Sequence, residues 1–395
     1  MGAQVEIAVV GAARTAMGSF QGVFAPLTAP ELGAAAIAAA LADAGLSAGQ
    51  ADEVAMGCVL PAGLGQAPAR QAALGAGLPQ SAPCTTLNKM CGSGMKAVMS
   101  AMDALRAGEG RVIVAGGMES MTNAPYLAPK MRAGARLGHA QMIDHMFLDG
   151  LEDAYDKGRL MGSFAEDCAQ AFQFTREAQD AFAIASLERA RRAQQEGAFG
   201  REVAPVTVRN RAGAVTVTAD EQPQTARIDR IPHLKPAFRE GGTVTPANSS
   251  SISDGAAALA LMRREDADAE GRPVRARLVA HATHAQAPSA FTTAPIPAIR
   301  KVLERAGWRL GDVELFEINE AFAVVPMAAM AELGLTHDRV NVHGGACAMG
   351  HPIGASGARI LVTLIAAMER HGARRGVAAI CIGGGEATAL AVERD

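Results

Sequence analysis

Apolar and polar positions along this chain change period several times, and each change marks an element. Residues 5–10 form a β-rich apolar run bounded by Gly11. Residues 29–44 have the composition of a long helix, with Glu31 near its start and Gly45 after its end. Residues 54–60 read as a second strand, and 67–76 as a helix whose Pro68 suits a first turn. Residues 95–107 form an Ala/Met-rich helix, and 111–115 a short buried strand that Gly116 and Gly117 end. Strands alternating with helices at this spacing predict a parallel sheet covered on both faces.

The pattern changes near residue 121. Residues 121–163 hold many Met and Gly without a clear period. They read as a surface excursion or as a mobile lid, since Met adapts to varied apolar shapes. Residues 175–197 are amphipathic, with Phe182, Leu187 and Ala190 near one face. Glu188, Arg189, Arg191, Arg192 and Glu196 lie near the other, as a solvated face. Residues 203–208 and 214–217 alternate as strands, and 254–262 read as a buried strand. From residue 277 onward, strands and helices alternate again. The two ends echo each other. Cys91-Gly-Ser-Gly followed by Gly116 and Gly117 parallels His351-Pro-Ile-Gly-Ala-Ser-Gly followed by Gly383, Gly384 and Gly385, a weak internal duplication.

Composition narrows the class. Hydrophobic residues at 49 % and charged residues at 19 % supply a large core, and aromatics at 4 % leave the packing to small and aliphatic side chains. A net charge of −3 gives no reason to expect nucleic acid or an anionic membrane as partner. The six cysteines, at 58, 84, 91, 168, 347 and 381, show neither a C-x-x-C pair nor metal-ligand spacing with His. A reducing environment is expected, without a disulfide framework and without a bound metal. No window approaches the roughly 18 uncharged apolar residues of a membrane helix, and the first residues lack the pattern of a leader. A soluble cytoplasmic protein is therefore the expectation; an organelle protein whose targeting segment has been removed would read the same way.

One cysteine stands apart. Cys91 ends a polar loop and is followed by Gly92, Ser93 and Gly94 at the start of a helix. Free N–H groups and the positive end of the helix dipole lower a thiol pKa from about 8.5 toward neutrality. Glycines there let a substrate carbonyl approach the backbone. Read alone, Cys91 is equally one more small buried apolar residue.

The surrounding motifs decide between these readings. Asn88-Lys-Met-Cys91-Gly-Ser-Gly resembles the thiolase active-site motif Asn-x-x-Cys-x-Ser-Gly. Gly65-Gln-Ala-Pro-Ala-Arg, Gly116-Gly-Met-Glu-Ser-Met, Leu234-Lys-Pro-Ala-Phe238, Ala247-Asn-Ser-Ser250, Asn319-Glu-Ala-Phe, Gly350-His-Pro-Ile-Gly and Cys381-Ile-Gly-Gly-Gly follow in that family's order from end to end. The resemblance implies an α/β thiolase fold, with two similar βαβαβ-type halves in a layered αβαβα core and an inserted loop domain. It places the N-terminal half at residues 1–120 plus 251–273, the loop domain covering the CoA site at 121–250, and the C-terminal half at 274–395.

The resemblance also implies roles. Cys91 is the nucleophile, and His351 takes its proton and faces the thioester oxygen. Cys381 is the acid/base for condensation. The N–H groups of Cys91 and Gly383 form one oxyanion hole, and His351 with a water held by Asn319 forms the other. Asn319 also suits a helix N-cap, and Glu320 beside it an orienting group. Ser250 falls on a CoA-binding position and Met161 on the pocket wall. Leu160 replaces the His common in acetoacetyl-CoA thiolases and the Pro common in long-chain degradative ones. Glu386 departs from the usual small or amide residue and reads as an outward charge. The implied reaction is acyl-CoA plus acetyl-CoA interconverting with 3-oxoacyl-CoA plus CoA through an acyl-Cys91, on short chains such as acetoacetyl-CoA. Coenzyme A is a substrate, with no further cofactor, and the assembly is a homodimer or homotetramer. A degradative thiolase for longer or branched chains, and a catalytically dead CoA- or lipid-binding protein on the same fold, are the alternatives.

Overall fold

Nine strands and two helices buried between them organise the chain. The structure, a computed structural model, describes residues 5–210 and 213–395. The strands are β1 (Ile7–Thr15), β2 (Glu53–Gly57), β3 (Cys84–Leu87), β4 (Val112–Ser120), β5 (Ser253–Arg263), β6 (Ala276–Ala285), β7 (Leu315–Ile318), β8 (Arg375–Ile382) and β9 (Glu386–Glu393). Their order is β7-β8-β9-β6-β1-β5-β4-β2-β3. The seam is narrow, for β1 meets β6 only through Ile7, Ala8 and Val9, opposite Leu278, Arg277 and Ala276.

The sheet is mixed, which corrects the parallel reading. β4–β2, β2–β3 and β7–β8 pair in parallel, whereas β1–β5, β5–β4, β6–β9 and β8–β9 are antiparallel. The turn through Gly383, Gly384 and Gly385 is too short for a crossover, so β9 must run back along β8. β4 also continues past Gly116 and Gly117 instead of ending there. A Cβ at Gly116 would lie 2.0 Å from the Ala257 carbonyl oxygen, and one at Gly117 would lie 2.0 Å from that of Gly354. These glycines mark a close approach of backbones inside the strand.

Helices α1 (Ala29–Asp43), α2 (Pro68–Gly75), α3 (Ser93–Arg106), α4 (Met161–Ala171), α5 (Arg176–Gln195), α6 (Pro295–Ala306), α7 (Val324–Leu333) and α8 (Ile353–His371) complete the frame. Strand alternation sorts them into layers. On β5, Ala256, Ala258, Ala260 and Met262 join a core with α1 and α2. Ala257, Leu259 and Leu261 join a second core with α3 and α8. On β8, Ala378 and Ile380 face that second core, and Val377, Ala379 and Cys381 face a third with α6 and α7. The result is five layers, α1/α2, sheet, α3/α8, sheet, α6/α7.

Start signals are local and readable. Thr28 and Glu31 form a reciprocal capping box on α1, and Gly45 follows it at φ +63°. Thr175 caps α5 through its side chain. The expected solvated face of α5 is partly docked. Arg189 donates to the carbonyls of His337, Val340 and Asn341, and Arg191 to those of Pro223 and Ala226. Carbonyls left at loop ends outcompete water for these forks. The aperiodic stretch 121–163 holds a small hairpin, Tyr126–Leu127 with Ile143–Asp144, and a single π-helical turn at Phe147–Leu151. Fully buried Arg14 on β1 ties the stretch before β5 to the frame, bonding Glu202 at 2.7 Å and Asp220 at 2.6 and 3.0 Å. Among the described residues no helix is long and apolar enough to cross a membrane.

The central layer is the tightest. Every residue of α8 from Ile353 to Met368 is buried, as expected of a helix with sheets on both sides. α3 and α8 touch through glycine, where a Cβ at Gly94 would lie 2.8 Å from the Ala358 nitrogen and one at Gly357 would lie 2.5 Å from the Met95 nitrogen. Gly357→Ala should therefore destabilise the protein by about 2 kcal/mol through overpacking, despite better helix propensity. Urea unfolding measures this, and an unchanged midpoint would show that the helices can part without cost.

Candidate active site

Close packing of α3 on α8 brings the two segments that precede them together. Cys91 lies two residues before α3. Asn88 Oδ1 accepts the Met90 N–H at 2.8 Å, and Met90 sits at φ +46°, a region few non-glycine residues adopt. Ser93 Oγ accepts the Lys89 N–H at 2.8 Å and donates to the Met90 carbonyl at 2.6 Å. The turn is thus locked from within and projects Cys91 from a strained corner. Gly92 and Gly94 serve packing here: a Cβ on Gly92 would strike Ile382 at 2.4 Å, and Gly94 meets α8.

Electrostatics depart from the sequence expectation for Cys91. Burial pushes its thiol up to about 11, although the N–H groups of Gly383 and of Cys91 itself pull the other way. Cys91 precedes the helix instead of capping it, so desolvation outweighs the helix end. The resting group is a thiol.

His351 stands between Gly350, at φ +105°, and Pro352 at the start of α8. Its Nδ1 is 2.5 Å from Ser356 Oγ, which itself donates to the Pro352 carbonyl at 2.9 Å. With that hydroxyl proton committed, Ser356 can only accept, so Nδ1 carries the hydrogen and Nε2 presents a lone pair. Nε2 is buried and has no protein partner. Burial, reinforced by the charge of Arg359, lowers the imidazole to about 3, so it is neutral. Glu119 anchors the same corner, accepting N–H groups of Val59 (2.9 Å), Leu60 (3.1 Å) and Gly354 (2.8 Å). Burial raises that carboxyl to about 7.

Cys381, 1 % exposed, is the next-to-last residue of β8. Burial and then neighbouring Cys91 push its thiol well above the ordinary range. Cys91, His351, Cys381, Gly383, Met161 and Ser250 line one cavity of about 60 Å³, with Leu151, Phe291, Phe322 and Ile353 among its apolar walls. A larger cavity of about 720 Å³ lies between α1, α2 and residues 205–207 but is lined by no cysteine or histidine.

Two sequence-expected residues stand outside this lining. Leu160 is the half-buried N-cap of α4, beside Met161. Asn319 follows β7 and lies two residues from Ala321 in the wall. It is no helix N-cap, because α7 begins at Val324 with Ala323 in the cap position. Its side chain is buried with both amide atoms unpartnered by protein, and such an amide requires a polar partner. Glu320 accepts from Ser186 at 2.8 Å, Asn341 at 2.8 Å and the Cys347 N–H at 3.0 Å, fixing the turn that carries Asn319. Glu386 is not a free outward charge: it pairs with Lys89.

Ser356, Glu119 and Phe291 were not singled out from sequence. Ser356 and Glu119 lie inside quoted motifs, but their partners come from other elements. Phe238 of the Leu-Lys-Pro-Ala-Phe block packs over Gly162 and meets Phe322 edge-on at 5.9 Å. All six cysteines are unpaired. Among the described residues no cluster of three or more His, Cys, Asp or Glu side chains is placed to hold a metal.

Two thiols and a neutral imidazole with a free lone pair thus share a small apolar cavity with a backbone N–H aimed at one sulfur. Such a site can accept an acyl group on sulfur and move a proton beside it. Family models agree over nearly the whole chain: residues 7–265 match the thiolase N-terminal domain and 272–394 the thiolase C-terminal domain. An acetyl-CoA acetyltransferase of Pseudomonas aeruginosa is 50 % identical over 392 residues, covering 99 % of this chain and 100 % of the relative. Acetyl-CoA acetyltransferase 2 of Arabidopsis thaliana is 49 % identical, covering 98 % and 97 %. The crystal structure of the Bacillus anthracis acetyl-CoA acetyltransferase superposes with a TM-score of 0.96 at 37 % identity, covering all of both chains. A thiolase from Ascaris suum in complex with coenzyme A gives 0.93 at 40 % identity, over 99 % of this chain and 100 % of that one. The chain belongs to the thiolase family.

The resting thiol has a direct readout. Alkylation of Cys91 by iodoacetamide, with Cys91→Ala as background, should rise about tenfold per pH unit from about pH 6 to 9, because only the thiolate reacts. A plateau with an apparent pKa near 7 would show that the helix end wins over burial.

Proposed function

We propose that the chain is a short-chain thiolase, an acyltransferase interconverting two acetyl-CoA with acetoacetyl-CoA plus CoA. The observation that carries this reading is the convergence of Cys91, His351 and Cys381 on one small apolar cavity. The cavity's size favours an acetyl group over a long tail, and the relatives' names point the same way.

In the condensing direction His351 Nε2 takes the Cys91 proton as Sγ attacks the acetyl thioester carbon. The departing CoA sulfur takes the proton of Cys381, leaving acetyl-Cys91, a Cys381 thiolate and an imidazolium. A second acetyl-CoA then loses its α-proton to Cys381. The enolate oxygen rests on His351 and a water held by Asn319, and the α-carbon attacks the acetyl carbon on Cys91. The N–H groups of Cys91 and Gly383 hold that second oxyanion. Collapse expels the Cys91 sulfur, which recovers its proton from His351. Each thiol ends as it began, and the Cys381 thiolate, which burial disfavours, is a strong base that the α-proton of the second acetyl-CoA consumes.

The same reading assigns Ser250 to CoA, Met161 to the acyl wall, and Leu160 to a tolerated change beside it. It assigns residues 1–120 plus 251–273 and 274–395 to the two halves and 121–250 to the domain over CoA, with CoA a substrate and no further cofactor. A cytoplasmic homodimer or homotetramer acting in fatty-acid metabolism completes the proposal.

CoA-dependent cleavage of a 3-oxoacyl-CoA series, from acetoacetyl-CoA through a 2-methyl member to long chains, tests this. Cleavage should be confined to the shortest members. Cys91→Ala should abolish acylation; Cys381→Ala should still acylate, more slowly because the CoA sulfur then leaves without its proton donor, but lose condensation by about 10²–10⁴-fold. Full synthetic activity in Cys381→Ala would overturn its role. Preference for long or branched members would move the chain to degradation, and no cleavage with CoA still bound would mark a dead enzyme.

A further inference from the structure

One ion pair bridges the turn that carries Cys91 and the strand hairpin that carries Cys381. Lys89 lies two residues before Cys91, and its ammonium contacts the Glu386 carboxylate. Glu386 opens β9 directly after the glycine turn. Its backbone is held on both sides, opposite Ile382 of β8 and Ala285 of β6. The Glu386 end is therefore the fixed anchor. The Lys89 end belongs to the turn with Met90 in the left-handed region, whose internal bonds fix its shape but not its distance from β8. What must be held at that distance is the Gly383 N–H against the Cys91 sulfur. Gly383 is joined to Glu386 by Gly384 at φ +93° and by Gly385 at φ +90°, whose carbonyl accepts the Gln286 N–H at 2.8 Å, so the Glu386 side of the turn is tied while Gly383 and Gly384 have little stiffness of their own. The two segments also meet through the Gly383 N–H at the Cys91 sulfur and through the Ile382 side chain against Gly92, neither of which carries a charge to resist a shift. Both charged side chains are partly exposed, 23 % and 34 %, so the pair adds little to global stability. Its leverage lies at the site, where a shift of about 1 Å costs on the order of 10²-fold in rate.

We propose that Lys89 and Glu386 are positioning residues, an ion-pair clamp that sets the spacing between the Cys91 sulfur and the Gly383 N–H. This rests on the thiolase reading. The clamp acts on catalytic rate and Cys91 reactivity, and not on substrate affinity.

The test compares wild type, Lys89→Met, Glu386→Gln and the charge-swapped double variant Lys89→Glu/Glu386→Lys. In acetoacetyl-CoA thiolysis each single variant should lose about fivefold to tenfold in kcat with KM within about twofold, and the swap should recover to within about twofold of wild type. Iodoacetamide alkylation of Cys91 reads the clamp without turnover. Removing a positive or a negative charge alone would shift the rate in opposite directions, whereas loss of the clamp slows both single variants. Unchanged kcat in the singles, a loss confined to KM, a swap as slow as the singles, or opposite alkylation shifts would overturn the proposal. Absence of thiolysis in wild type would count against the thiolase reading, and the alkylation comparison would still decide the clamp.

Discussion

The glycine contact between α3 and α8 is the constraint on which the rest depends. Two helices buried between two sheets cannot approach this closely with ordinary side chains at the crossing. Gly94 and Gly357 remove them, and a Cβ at either would strike the other helix's backbone. The segments entering these helices are then forced side by side, and those segments carry Cys91 and His351. β8 lies on the same central layer and delivers Cys381 at its end. The side-by-side placement of Cys91 and His351 is thus a by-product of helix packing.

Burial then sets the chemistry. Desolvation raises both thiols and lowers the imidazole, so the resting site carries no charge on its three reactive side chains. Ser356 fixes which imidazole nitrogen holds the hydrogen. In the proposed mechanism charge appears only when substrate arrives, beside the N–H groups of Cys91 and Gly383. Neutral thiols are also slower than thiolates in adventitious reactions.

Much of this was legible in the chain. Helices with local signals, such as Thr28 with Glu31, were placed nearly to the residue. Cys91, His351, Cys381 and Gly383 were visible because the motifs that hold them resemble those of thiolases, and the structure brings all four to one cavity. Strand direction was not visible, since alternation of strands and helices does not record that β5 returns antiparallel after a long excursion. Gly116 and Gly117 looked like a strand end because the carbonyls crowding them come from distant elements. The pKa of Cys91 was misjudged for the same reason: a helix start is local, but desolvation depends on everything packed around it. Lys89 with Glu386 spans nearly 300 positions, and no period joins them.

The most direct test is to trap the intermediate. The purified protein is mixed with acetyl-CoA alone, quenched in acid and digested, and the acetyl group is located by mass spectrometry. The account predicts one labile acetyl thioester on the peptide carrying Cys91, removed by added CoA and absent when Ser356 is replaced by a residue that cannot hold the His351 Nδ1 hydrogen. An acetyl group on Cys381 or on another residue, or none at any site, would contradict it.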